Sequence, residues 1–94
     1  MQFVMICEDK PDSLELRLAN RENHLAYIGT RSDGIRLAGP MLSDDGEGMV
    51  GSLFIIEADS IEDVRDMNAN DPYTRAGLFA NVTIRPFRQV VPAP

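Results

Sequence analysis

The chain has 94 residues, enough for one domain over 1–94 with a modest core and too few for two. Hydrophobic residues make up 44%, which sets it among globular rather than disordered chains. Nine Lys and Arg stand scattered among fifteen Asp and Glu, a net charge of -6, so nucleic acid and anionic membrane are excluded as partners.

The first predicted element is a strand over residues 2 to 8, "QFVMIC", halted by "EDKPD". This start has no basic n-region and meets two acids after Cys7, so it does not read as a signal peptide. A first helix follows, capped by Asp12 or Ser13, with Glu15 completing a capping box from Asp12. Leu14, Leu18, Leu25 and Ile28 form its expected inward stripe, interrupted by Arg21, and Gly29 should end it. "IRLAGPML" is a second strand in which Gly39-Pro40 bends or ends the regular part. After the acidic turn "SDDGEG" comes "MVGSLFIIEA", the most apolar stretch and a third strand. Ser60 and Asp63 open a second helix with Ile61, Val64 and Met67 facing inward. "NANDP" stops it, and Asp71 can cap the short turn "PYTRAG", with Pro72 in the first position and Gly77 as exit. "ANVTIRPF" alternates Val82 and Ile84 against Asn81, Thr83 and Arg85, a half-buried last strand that Pro86 ends or places at an edge.

The order is βαββαβ, an α+β, ferredoxin-like arrangement with a four-stranded antiparallel sheet and two helices on one face. "FVMIC" and "LFII" are apolar at consecutive positions, yet helices on one side cover only one face. The economical cover for the second face is another copy, sheet against sheet, so a homodimer is expected. No apolar run approaches the roughly 20 residues of a membrane-spanning helix. One cysteine cannot build an internal disulfide, and a cytoplasmic location is the simplest reading.

His24, the only histidine, lies at the margin of the leucine stripe, where it can reach a cleft between helix and sheet. Its ordinary reading is a surface residue near the helix C-terminus, held by the helix dipole. Asp71 has an ordinary role as helix cap, which leaves its second oxygen for an imidazole. Tyr73 can donate a phenolic hydrogen bond into the same cleft or simply pack. Gly39 and Pro40 can admit a ligand close to the backbone, or merely bend the strand. Ser52 can aim a hydroxyl at a ligand or be an ordinary strand residue. Cys7 reads as a small buried hydrophobe. "SDDGEG" lacks the twelve-residue calcium loop, no Cys/His group has zinc spacing, and no phosphate loop or nucleophile elbow is present. No metal or cofactor is therefore expected.

"RENHLAYI", "LAGPM", "GSLFIIEADSIEDV" and "NDPYTRAGLF", in that order and spacing, resemble the YCII-related family over nearly the whole chain. The resemblance implies a dimeric α/β barrel, with a pocket whose reactive pair matches His24 and Asp71. Many members end the last strand with Pro-Trp where this chain has Pro86-Phe87, a change to the pocket wall. Some relatives are linked to chloride elimination from chlorinated hydroxyquinols. The reading that follows is cofactor-free acid–base chemistry of lyase or isomerase type on a small aromatic or polar molecule. The alternative is a non-catalytic ligand-binding or interaction module on the same scaffold.

Overall fold

The computed structural model describes residues 1–94. Strand β1 runs Gln2–Asp9, helix α1 Leu14–Gly29, β2 Ile35–Leu42, β3 Met49–Glu57, α2 Ile61–Ala69, α3 Pro72–Arg75 and β4 Phe79–Phe87. Ser60 caps α2 by accepting the Asp63 N–H at 3.2 Å. Asp71 caps α3 by accepting the Tyr73 N–H at 2.8 Å, with Pro72 in the first turn. The capping box expected from Asp12 does not form. Asp12 sits at φ 55, Ser13 occupies the cap position, and its hydroxyl donates to the Pro11 carbonyl instead.

All neighbouring strands are antiparallel in the order β2-β3-β1-β4. Residues directly opposite in such a ladder share a face. Met5 therefore lies beside Phe54 and Ile84, and Cys7 beside Ser52 and Val82, on one face. Val4 lies beside Ile55 and Arg85, and Ile6 beside Leu53 and Thr83, on the other. The helices cover the first face. Phe3, Met5, Cys7, Phe54 and Ile56 from the sheet pack with Val64 and Met67 of α2 into the core. The alternation read in β4 holds, with Val82 and Ile84 on the helix side.

Gly51 is a packing requirement. A Cβ there would run into the Cys7 carbonyl and the Met41 side chain, so only glycine lets β1, β3 and β2 approach at this point. Gly39-Pro40 neither ends nor visibly bends β2, whose register shifts lie at Ile35/Leu37 and Met41/Leu42. Proline is tolerated because β2 is an edge strand, where one backbone side needs no donor.

The leucine stripe of α1 faces the wrong way for the expectation. Leu14, Leu18 and Leu25 are 44%, 53% and 49% exposed, while the residues α1 buries are Arg17 and His24. Ser13, Arg17, Asn20, His24, Tyr27 and Ile28 follow the same helical period and point inward. The polar stripe wins because its groups find buried partners, which the leucines do not need.

Candidate functional site

His24 is delivered by the inward face of α1, five residues before its C-terminal end, and Asp71 by the cap of α3, 47 residues later. The imidazole Nδ1 lies 2.9 Å from both carboxylate oxygens of Asp71. One of those oxygens also accepts the Tyr73 N–H, so the carboxylate is fixed by the backbone of its own turn before it meets the ring. An ionised carboxylate can only accept, so Nδ1 is the nitrogen that donates, which leaves Nε2 to present a lone pair when the ring is neutral. Nε2 has no partner in the chain and is not sealed from solvent. An oriented imidazole with one free nitrogen can take up or release a proton at that atom.

Tyr73 completes the wall. Its ring stacks on His24 at 3.9 Å between centroids and 12° between planes. Phe54 meets the imidazole in an edge-on arrangement at 6.4 Å between centroids. The Arg17 guanidinium lies 4.6 Å from the centre of the same Tyr73 ring. Arg17 is held by two bonds to Asp9, at 2.8 and 2.9 Å, and donates to the Ser52 hydroxyl at 2.9 Å. Burial pulls the Arg17 pKa down, but the Asp9 hydrogen bond and charge outweigh it and the net direction is up. Burial likewise pushes the Tyr73 phenol up, against the pull of the Arg17 charge. Beneath them Cys7 is fully buried, and desolvation, with the Asp71 charge next, raises its thiol to about 12.

The structure thus brings His24, Asp71, Tyr73 and Ser52 into one connected group, with Ser52 joined through Arg17. Pro40 stands opposite Ser52 in the ladder, on the same face, and is exposed. Gly39 stands opposite Leu53 on the open face and is not brought to the group, because successive strand residues alternate sides. Arg17 and Asp9 escape the sequence reading. The available signal is that Arg17 precedes His24 by seven residues, two helical turns, so a buried His24 implies a buried Arg17. Cavities of about 560, 720, 290 and 350 Å³ lie elsewhere, and neither His24 nor Asp71 lines them.

The YCII-related domain matches residues 1–88. The chain belongs to the YCII-related family. It is 39% identical over 97 aligned positions to Protein YciI of Escherichia coli O6:H1, covering 96% of this chain and 99% of that one. Among solved structures it is similar to a 5-chloro-2-hydroxyhydroquinone dehydrochlorinase from Burkholderia phenoliruptrix AC1100, in complex with 2,5-dihydroxybenzoquinone. That likeness has a TM-score of 0.89 at 36% identity and covers 96% of each chain. An antibiotic biosynthesis monooxygenase superimposes at a TM-score of 0.54 with 14% identity, covering 95% of this chain and 97% of that one, a likeness of fold alone. The fold of this YCII-related chain is ferredoxin-like, of the dimeric α+β barrel type.

Proposed function

We propose that this chain is an acid–base catalyst of lyase or isomerase type, acting on a small hydroxylated ring or a similarly polar molecule. The observation that carries the reading is the His24 Nδ1–Asp71 contact at 2.9 Å with Nε2 left free. Nε2 takes a proton from a substrate hydroxyl, and Asp71 steadies the imidazolium that forms. The Arg17 charge, held against the same Tyr73 ring as His24, favours the oxyanion left behind. The proton then returns to a ring carbon, which completes an isomerisation; where that carbon bears a leaving group, loss of a second hydroxyl proton expels it as an anion and completes an elimination. Likeness to a dehydrochlorinase at 36% identity supports the second course. The steps use side chains of this chain alone.

The open sheet face supports a homodimer as part of the same reading. Val4, Ile6, Leu53 and Ile55 form an apolar centre there, flanked on β2 by Leu37, which is 55% exposed. A second copy would remove this surface from water. The alternative is a binding module without turnover on the same scaffold.

One comparison separates the two. With chlorinated and unchlorinated hydroxyhydroquinones as substrates, His24→Asn should lower turnover about 10²- to 10⁴-fold while the melting temperature stays near wild type. If 2,5-dihydroxybenzoquinone raises the wild-type melting temperature but no substrate of this class turns over, the binding module stands instead.

A further inference from the structure

The flank of α1 beside its buried stripe is unpartnered. It carries Leu14, Leu18 and Leu25, about half exposed, with Arg21, Glu22 and Gly29 exposed among them. Neither Arg21 nor Glu22 enters an ion pair within the subunit. At Gly29 a Cβ would meet nothing within 4 Å, so the space above it is open.

These residues are arranged symmetrically. If α1 is laid antiparallel on a copy of itself, with the twofold axis between Arg21 and Glu22, Leu18 faces Leu25 of the partner subunit. Arg21 then faces Glu22 of the partner subunit, and Leu14 faces Gly29 of the partner subunit. Every contact occurs twice, as a twofold interface requires. A leucine opposite a glycine lets two helices approach closely. The charges also suit self-docking. The chain as a whole carries -6, but Arg17 is already paired with Asp9, and the docking flank of α1 itself sets one arginine, Arg21, against one acid, Glu22. It is therefore a neutral element on an acidic molecule, where like-charge repulsion between copies is weakest.

We propose that a second copy of this chain docks on this flank, α1 against α1 in antiparallel register, with Leu18 against Leu25 and Arg21 against Glu22. A helix of 16 residues spans about 24 Å, and one flank of it falls short of the roughly 1,000 Å² of a free-standing interface. The contact therefore joins dimers formed through the sheet face into larger even-numbered assemblies. It is independent of the chemistry at His24.

The register can be read by disulfide trapping on the full chain. Leu18→Cys and Leu25→Cys place thiols on exposed positions, while Cys7 is fully buried and stays silent. Under mild oxidation at tens of micromolar, an equal mixture of the two variants should give a covalent pair. Either variant alone should give little, because its own thiols lie two turns apart in this register. By sedimentation, Arg21→Glu should weaken the larger assembly about tenfold or more, and Arg21→Glu/Glu22→Arg should restore it. Val4→Asp, which attacks the sheet face, should lower the yield of the mixed disulfide, because the α1 contact alone is too small to hold two subunits together. A mixture that traps no better than the single variants overturns the proposal, as does failure of the double reversal to restore assembly. Either result leaves the flank to a different partner.

Discussion

The two main helices sit on the same side of the same sheet and are built by opposite rules. Helix α2 turns Val64 and Met67 into the core and leaves its acids in water, as an amphipathic pattern dictates. Helix α1 buries an arginine and a histidine and leaves three leucines half exposed. The difference teaches that α2 contributes stability through apolar contact, whereas α1 contributes a polar constellation that must be satisfied bond by bond. Buried polar groups are costly unless paired, so α1 stands only because Asp9, Ser52 and Asp71 meet it.

The comparison breaks most visibly at Arg17. Arg17→Ala leaves the Asp9 carboxylate buried without its partner and should cost about 3–5 kcal/mol, more than Met67→Ala in α2, at about 2–3 kcal/mol. Denaturant midpoints of the two variants measure the order. If Met67→Ala proves the more damaging, the polar network contributes less than the apolar helix.

A second effect is felt through Cys7, which lies on the sheet beneath α1 and senses Asp71, Arg17 and Asp9. Its thiol is raised to about 12 in the fold from an ordinary value of 9.0. In that window the unfolded chain has lost the thiol proton and the native chain has kept it. The stabilisation is complete below the unfolded value, and stability should fall as pH rises, by up to about 1.4 kcal/mol per unit from this group. Cys7→Ala should show a shallower alkaline decline in denaturant titrations. An unchanged slope would mean that the thiol does not remain protonated in the fold.

The smallest effect belongs to the outward leucines. Leu18→Ala should change subunit stability by about 0.5 kcal/mol or less in dilute solution, since the side chain already meets water. A loss as large as that of Met67→Ala would show that the leucine flank is covered within the subunit.

The same contrast marks what was legible in the sequence. Helix α2, the Asp71 cap and the alternation of Val82 and Ile84 were readable because each rests on neighbours within a turn or along one strand. The direction of α1 was not. Leu14, Leu18 and Leu25 share one helical period with Arg17 and His24, hydrophobicity favoured the leucines, and of the expected stripe only Ile28 packs against the core. What decides between them are bonds to residues 8, 35 and 47 positions away, which no local pattern contains. Residue spacing placed His24 only at the margin of the leucine stripe, and the resemblance supplied its match to Asp71. Gly39 stands apart from the His24 group for a simpler reason. It shares a motif with Pro40, but adjacent residues on a strand look opposite ways.

The strand order also sets a timetable for synthesis. Strand β1 is made first yet lies between β3 and β4, so its partners are still unmade when it appears. Forty residues separate Asp9 from Met49, roughly 2–8 s at ribosomal speed, during which "FVMIC" has no ladder to join. Helix α1 waits longer still for Asp71. A nascent chain stalled before the third strand would hold an apolar strand and an arginine without Ser52, a species suited to chaperones rather than to folding.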